Sequence, residues 1–347
     1  MIEQIGTGSL LFKESPFLLE SASIVGTKEG QGPLGSLFDV VGSDDKFGQD
    51  SWEKAESSLQ QDALTLAIGK AKVTKDEIRY LFAGDLLGQC VASSFGLKQF
   101  EIPLFGVYGA CSTCGESLSL ASILVASGCA DCTAAVTSSH FASAEKQFRF
   151  PLEYANQRPV SATWTVTGSG AFILGSEKYK GRIEHKKDDK FVRITGITTG
   201  KIVDYGIKDS MNMGAAMAPA AASLIKQNLE DFKIKADEYD KIVTGDLGSI
   251  GKQILCDLLR KDGIEIESIH EDCGMKIFDS ETQNTGSGGS GCGCSATTLS
   301  AYYIPKIKSG KLRKILFIPT GALLSPVSFN EGQSVPGIAH GVIIEGE

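Results

Sequence analysis

An internal repeat constrains the fold of this chain more than any other feature. The strand pattern and Gly-Asp-Leu of residues 80–86 return at residues 240–248. The segment from Cys111 to Gly128 returns at residues 293–310, and each copy leads into a short apolar strand. Both copies alternate strands with helices, so two copies of one βαβαβ unit are the economical explanation. The sequence therefore predicts an α/β fold built from two related halves.

The size and charge of the chain fit this prediction and exclude some functions. The 347 residues divide into expected halves at 1–177 and 178–347, and 42% hydrophobic with 22% charged residues is ordinary globular composition. A net charge of −8 argues against a nucleic-acid partner. The start Met1-Ile2-Glu3-Gln4 lacks a signal peptide, and no apolar run reaches membrane-spanning length. Nine cysteines then indicate reduced thiols in the cytoplasm.

Cys111 lies on a sharp turn between a predicted strand and a predicted helix. Ser112 and Thr113 are good helix-capping residues, and Ser127-Gly128 ends the helical pattern. Free N–H groups at a helix start lower the pKa of a thiol and can hold an oxyanion or a carboxylate. The small Ala, Ser and Gly side chains of this helix predict an interior position. A small residue at a crowded turn is the alternative explanation for Cys111.

One sequence pattern resembles a zinc site and another resembles a nucleotide-binding loop, but the surroundings of each argue against that function. Cys111-x-x-Cys114 and Cys129-x-x-Cys132 offer four thiolates, but the intervening helix would separate the pairs by roughly 20 Å, too far for one zinc ion. A redox Cys-x-x-Cys would leave the second pair unexplained. Residues 286–291 spell a dinucleotide fingerprint, but no strand precedes them. We interpret them as a glycine loop that passes close to the site, and we expect no protein-bound metal and no cofactor.

A candidate base and a candidate lid follow the strand after the Cys111 helix. His140 ends that strand, on the same sheet edge as Cys111. Residues 145–159 then interleave basic side chains, including Arg149, with aromatic rings. This segment fits a lid over an anionic ring. The alternative, an ordinary excursion that packs on a partner subunit, is slightly favoured.

The repeat, with a cysteine on the turn into the central helix, resembles the thiolase superfamily. Residues 25–37, 284–296 and 337–345 resemble its opening loop, its Asn- and Gly-rich loop and its closing strand. The resemblance implies a five-layer α-β-α-β-α fold. More specific motifs resemble the stage V sporulation protein AD family of spore-forming bacteria: Gly-Pro-Leu-Gly-Ser at 32–36, Tyr-Gly-Ala-Cys-Ser-Thr at 108–113, Thr-Ser-Ser-His at 137–140, Glu-Lys-Gln-Phe-Arg at 145–149 and Trp-Thr-Val-Thr-Gly at 164–168.

The family resemblance implies a function in spores. Its members bind dipicolinic acid (pyridine-2,6-dicarboxylate), alone or as the calcium chelate, and serve its uptake into the developing spore and its release in germination. They work with membrane partners of the same operon at the inner spore membrane, which implies a peripheral protein without a transmembrane segment. Thiolase-like proteins dimerise through the first-half sheet, so a homodimer is expected. Carried over by motif, Asp85 and Cys111 would line the ligand pocket; position and chemistry add Ser112, Thr113, His140 and Arg149.

The same resemblance argues against catalysis. Thiolases carry a Gly-His-Pro histidine in the glycine loop, whereas this chain has Ser290-Gly-Cys-Gly-Cys-Ser295 there, and no cysteine follows Cys294. A positioned acid or base contributes about 10²–10⁴-fold to rate, so we predict a non-catalytic binding protein in which Cys111 stays a neutral thiol. The alternatives are a degenerate acyltransferase that uses Cys111 and His140, and a scaffold whose pocket is vestigial.

Overall fold

Strands and helices alternate along the chain in the computed structural model, which describes residues 1–148, 152–154, 157–184 and 186–347. The strands are β1 (Ile2–Ile5), β2 (Ser9–Phe12), β3 (Phe17–Val25), β4 (Val40–Val41), β5 (Tyr80–Gly84), β6 (Leu104–Gly106), β7 (Cys132–Ser139), β8 (Trp164–Thr165), β9 (Gly168–Gly175), β10 (Val192–Thr199), β11 (Lys241–Thr244), β12 (His270–Asp272), β13 (Gly289–Ser290), β14 (Lys314–Ile318), β15 (Thr320–Ala322) and β16 (Gly337–Gly346). The helices are α1 (Thr27–Gly30), α2 (Trp52–Ala71), α3 (Val91–Leu97), α4 (Thr113–Ala126), α5 (Phe141–Phe148), α6 (Met213–Phe232), α7 (Gly248–Lys261), α8 (Cys273–Ile277), α9 (Cys292–Thr298), α10 (Ile304–Lys308) and α11 (Pro326–Asn330).

Strand order demonstrates the duplication. The first half has the order β6-β5-β7-β9-β3, and the second half has the matching order β12-β11-β14-β16-β10. In each half the first three strands are parallel and the last two pair antiparallel. The two halves join edge to edge where Arg193 of β10 pairs with Phe17 of β3. The predicted pair of βαβαβ halves is therefore confirmed, while the boundary between residues 177 and 178 stays a prediction.

Five layers result from the way the helices cover these sheets. Helices α2 and α3 pack on the outer face of the first-half sheet, and α6 and α7 pack together beyond the second. Helices α4 and α9 lie between the sheets: α4 contacts β5 and β7 of one half and β16 of the other. A Cβ on Gly115 of α4 would lie 2.9 Å from the backbone oxygen of His340, so the small residues of α4 permit this close packing. The interior position predicted for the Cys111 helix is confirmed.

The alternating pattern of residues 164–174 predicts one continuous strand, and the structure differs from this in one respect that matters for the site. The strand is interrupted after β8, whose residues pair in parallel with β13 of the glycine loop instead of with the main sheet. The amides of Trp164 and Val166 donate to the carbonyls of Gly288 and Ser290, each at 2.8 Å. This small ladder holds the glycine loop of the second half against the first half, beside Cys111.

Other local predictions hold with small shifts. Ser51 and the apolar spacing after it predict a helix over residues 51–71. Helix α2 begins at Trp52, and the Ser51 hydroxyl accepts a hydrogen bond from the Lys54 amide. The glycines on either side of His340 predict a loop before a last strand at residues 342–345, but His340 lies within the longer strand β16. Among the described residues, no helix is both long enough and apolar enough to cross a membrane.

Candidate functional site

A cavity opens at Cys111, between the two halves of the chain. It holds about 560 Å³ of empty space, counting its open mouth. Residues from both halves form its wall: Leu86, Tyr108, Ala110, Cys111, Ala144, Glu145, Phe148, Thr165, Ser210, Met213, Ser290, Ala322 and Leu324. A concave, largely apolar wall with a few polar groups is typical of a small-molecule site.

The polar groups of the turn that carries Cys111 form hydrogen bonds within the turn itself. Ala110 has φ of +51°, a left-handed conformation that is uncommon for a residue other than glycine. The Ser112 hydroxyl donates to the carbonyl of Gly109 at 2.6 Å, and the Thr113 hydroxyl donates to the carbonyl of Ala110 at 2.6 Å. The backbone amide of Ser112 also donates to the carbonyl of Gly109, and that of Thr113 to the carbonyl of Ala110. Neither Ser112 nor Thr113 lines the cavity, because their hydroxyl and amide donors bond within the turn. A contact between either residue and a ligand stays a prediction.

The Cys111 thiol is neutral, because its surroundings oppose a thiolate. Burial, then the carboxylate of Asp246 and the neighbouring Cys292, raise the pKa of Cys111 well above its ordinary value. The thiol donates to Asp246, which also accepts from the Thr320 hydroxyl at 2.7 Å and from the Gly291 amide at 3.1 Å. Burial raises the pKa of Asp246 to about 7, although these hydrogen bonds lower it. The helix-start effect expected from the sequence is outweighed.

Slow alkylation of Cys111 is the expected result of this environment. Cys129 is exposed and serves as an internal reference in the same chain. At pH 8, iodoacetamide should modify Cys129 at least about tenfold faster than Cys111, because the thiolate is the nucleophile and burial disfavours it. Peptide mass spectrometry over time measures both rates. Equal rates would show that Cys111 is an activated thiol and would contradict this account of the site.

Asp85 was expected to contact the ligand, but the structure places its carboxylate behind the cavity wall. Its oxygens accept from the amides of Leu87 and Ser93 and from the Ser93 hydroxyl, at 2.6–2.9 Å. Burial raises the pKa of Asp85, and the neighbouring Glu56 is fully buried as well. Its chain neighbour Leu86 lines the cavity instead. The corresponding aspartate of the second half, Asp246, is the one that meets Cys111.

His140 does not meet Cys111, contrary to expectation. Its Nε2 donates to the carbonyl of Asp45 at 2.6 Å and its Nδ1 accepts from the Ala142 amide at 3.2 Å, so both ring nitrogens are occupied. Its ring packs on Trp52 with centroids 5.5 Å apart, in a second cavity on the other side of α5. Burial also lowers the pKa of His140. The residue is therefore built into the wall of that second cavity as a neutral imidazole.

The lid prediction is tested in part only. Arg149 lies outside the described residues, as do residues 150, 151, 155, 156 and 185. Of the four described residues of this segment that precede Arg149, Glu145 and Phe148 line the Cys111 cavity. Glu145 accepts a hydrogen bond from the Thr165 hydroxyl at 2.8 Å. A contact between Arg149 and a ligand stays a prediction.

Sequence reasoning missed the residues that the second half contributes. Cys292 packs in one cluster with Cys111, Leu86 and Ala144, and its thiol donates to the carbonyl of Ser138. Ser290 and Met213 complete the wall. The signal was present in the repeat, since a two-fold relation brings the start of each central helix toward the other half. The glycine loop was correctly expected near the site.

The cavity lacks the usual base and metal ligands within the described part of the chain. None of His140, His270 and His340 lines it. Burial lowers the pKa of His270 to about 3 and that of His340 to about 4. The described residues include no group of three or more His, Cys, Asp or Glu side chains that could hold a metal ion. The two groups that meet at the turn, the Cys111 thiol and the Asp246 carboxyl, both have pKa values raised by burial.

Comparison with known proteins agrees with the fold and the motifs. A family model for Stage V sporulation protein AD matches residues 6–345. Stage V sporulation protein AD of Bacillus subtilis (strain 168) is 43% identical over 340 residues, covering 98% of this chain and 97% of that protein. A match of this extent establishes membership of the family.

Solved structures extend the comparison at the level of the fold. Xanthomonas campestris OleA with bound lauric acid and lauroyl-CoA has a TM-score of 0.61 at 12% identity, covering 96% of this chain and 100% of that one. 3-Oxoacyl-[acyl-carrier-protein] synthase III from Aquifex aeolicus VF5 has a TM-score of 0.55 at 11% identity, covering 95% and 99%. At such low identity these enzymes share the fold alone. The chain is a member of the stage V sporulation protein AD family, with a sporulation role, on a thiolase-like fold.

Proposed function

We propose that this protein binds dipicolinate at the Cys111 cavity without catalysis, and that it serves dipicolinate uptake into the spore and release during germination. The single observation that carries the proposal is the cavity at the Cys111 turn, where the thiol is buried and hydrogen-bonded. Burial and the contact with Asp246 oppose the thiolate that a nucleophile would need. The apolar walls suit a flat ring, and Ser290, Thr165 and Tyr108 supply polar contacts for its edge.

The charge of the cavity favours the calcium chelate over the free dianion. Among the described lining residues there is no Lys or Arg, and Glu145 contributes a carboxyl group. None of these described residues would offer a dianion a positive charge in place of the hydration that it loses on entry. The one-to-one calcium chelate is electrically neutral, and its metal still accepts oxygen ligands. We therefore infer that calcium arrives with the ligand.

The surroundings of the Cys111 thiol also argue against acyl transfer. The acyltransferase alternative needs a base that takes the proton of Cys111. His140 belongs to the other cavity, and Asp246 accepts from the thiol while bonded to Thr320 and Gly291. A carboxyl group with three buried donors holds the thiol in its neutral form. We propose that the cysteine position is retained for packing and hydrogen bonding.

Blocking the mouth of the cavity should abolish binding. Ser210 lines the mouth and is only partly buried, so Ser210→Trp fills the entrance without changing the core. Calorimetric titration with calcium dipicolinate should give saturable one-site binding to the wild type and none to Ser210→Trp. The exposed residue Ser94, on α3 away from the cavity, provides the matched control Ser94→Trp, which should bind like the wild type. Equal binding by Ser210→Trp would place the ligand elsewhere.

We also propose a homodimer formed along β6. This strand is the edge of the first-half sheet, and it pairs with β5 on one side. Leu104 and Phe105 of β6 are 42% and 49% exposed, and Phe105 stacks flat on Phe82 at 5.1 Å. An exposed apolar edge strand is a ready surface for pairing with a second copy.

Light scattering after size-exclusion chromatography tests the dimer. The expected mass is twice the 36.8 kDa of one chain. Phe105→Lys should shift the protein to monomer, because a charge would be buried at the interface. Phe95 is also exposed, at 60%, but lies on α3, so Phe95→Lys is the matched control and should remain dimeric. A wild-type monomer would contradict the proposal.

The route to the membrane is proposed from family membership. We infer that the protein acts at the inner spore membrane by docking to membrane proteins made with it, as a peripheral component. The test is pull-down from sporulating cells in mild detergent, compared between wild type and Ser210→Trp. If both proteins retain the same membrane partners, docking does not depend on ligand binding.

A further inference from the structure

A second cavity, at His140, has the features of a binding site that is separate from the Cys111 cavity. It holds about 630 Å³ of empty space, again counting its mouth, and its wall includes Trp52, His140, Phe141 and Trp164. Phe141 and Trp164 stack with centroids 4.0 Å apart and planes at 13°. Aromatic faces in a concave wall favour a flat ligand.

The charged groups around these rings are mostly positive. Lys28 Nζ and the Arg158 guanidinium lie 4.3 and 4.4 Å from the ring centroid of Trp164, and Lys46 Nζ lies 4.8 Å from that of Trp52. Asp45 also lies in the wall, and its Oδ1 already accepts hydrogen bonds from the amide and hydroxyl of Thr27. Such a concentration of cations in a chain of net charge −8 predicts an anionic ligand.

A buried acid in the same wall points to a missing partner. Glu29 is fully buried, and its Oε1 accepts from the Thr167 amide at 2.9 Å. Its Oε2 is buried and has no hydrogen-bond partner among the described residues. Burial raises the pKa of Glu29 to about 8, so the group is a neutral acid with one O–H to donate near pH 7. An unpaired buried polar atom is costly, and a ligand with an acceptor would satisfy it.

The two cavities are distinct yet share a wall. Helix α5 presents Phe141 and Ala142 to the second cavity, and Ala144, Glu145 and Phe148 to the Cys111 cavity. In β8, Trp164 faces the second cavity and Thr165 faces the first. Different side chains of the same short elements therefore line each space, so each cavity can be altered without touching the residues of the other.

We propose that the His140 cavity is a second small-molecule site, and that it takes a flat carboxylate, with the ring against the tryptophans and the carboxylate toward Lys28. The protonated Glu29 donates to an acceptor of the same ligand. This inference stands apart from the proposed function, because no residue of the second cavity lines the first.

The tryptophans give the test its readout. The chain has two tryptophans, and both Trp52 and Trp164 line this cavity. Benzoate, used as the probe, should therefore change the intrinsic tryptophan emission of the full-length protein in a saturable way. Benzylammonium, which has a similar ring and the opposite charge, should have a far weaker effect.

Lys28→Met identifies the cationic contact. It should raise the benzoate midpoint by about tenfold, the usual loss for one charge-assisted hydrogen bond. Lys98→Met is the matched control, because Lys98 lies over an aromatic ring elsewhere, 5.1 Å from the centroid of Phe95; its midpoint should be unchanged. No saturable emission change with benzoate, an equal response to benzylammonium, or an unchanged midpoint in Lys28→Met would each overturn the proposal. Ser210→Trp and dipicolinate titration report on the other cavity, so the two proposals can fail separately.

Discussion

A methyl group at position 321 is expected to lower the free energy of unfolding by about 2–3 kcal/mol and to abolish ligand binding. Gly321, in β15 of the second half, lies against the Cys111 turn. A Cβ there would be 2.2 Å from the carbonyl oxygen of Gly109 and 3.0 Å from the amide of Ser112. Both are backbone atoms, so Gly321→Ala must push the turn and the thiol out of place. Urea unfolding and calorimetric titration measure the two effects.

Gly69→Ala is the control for this substitution. Gly69 lies inside α2, and nothing lies within 4 Å of the added Cβ. It should stabilise the protein by about 0.5–1 kcal/mol, through helix propensity, and leave binding intact. A Gly321→Ala variant as stable as the wild type would contradict the close contact between Gly321 and the Cys111 turn.

A second large effect is expected from pH, through Glu56. Burial, and then the charge of Asp85, raise the pKa of Glu56 to about 8 from an ordinary 4.5. Between these two values the folded protein holds a proton that the unfolded chain releases, so stability falls as pH rises. From pH 6.5 to 8, Glu56 alone should remove up to about 1.4 kcal/mol per pH unit.

Glu56→Gln should remove that dependence. The amide resembles the protonated acid in shape and does not titrate, so the stability difference, wild type minus variant, should shrink and then reverse as pH rises toward 8. Urea unfolding at pH 6.5, 7.2 and 8 measures it, and exposed Glu14→Gln controls for the loss of a carboxyl group. A difference that is constant across this range would contradict a protonated Glu56.

The fold could be predicted from the sequence because its evidence is local and repeated. The strand before Asp85 and the strand before Asp246 carry the same pattern, and the observed strand orders match in the two halves. The start of α2 at Ser51 and the interior position of α4 follow from residue types within one segment. The interruption after β8 does not, because it depends on pairing with β13 more than a hundred residues away.

The sequence predicted the turn that carries Cys111, but it did not predict which side chains surround the thiol. Cys111 lies at the cavity, as the sequence predicts. Asp85 and Asp246, however, each occupy the middle of a Gly-Asp-Leu tripeptide, one in each half, so the motif does not distinguish them. Which of them meets the thiol depends on how the halves pack, and that packing favours Asp246. The hydroxyls of Ser112 and Thr113 bond within the turn, a choice that residue type alone leaves open.

His140 illustrates a second limit. Its position at the end of β7 correctly predicted the edge of the sheet that carries Cys111. Helix α5 follows at once and divides the space at that edge, so neighbouring residues face different cavities. Spacing along a strand fixes which edge a residue reaches, whereas the packing of the next element fixes which side it faces.

A structure of the protein with calcium dipicolinate tests whether the Cys111 cavity is the binding site. We expect a flat ligand in that cavity, between Met213 and Ser290, with an unmodified Cys111 thiol bonded to Asp246. Ligand density confined to the His140 cavity, or an acylated or metal-bound Cys111, would contradict it.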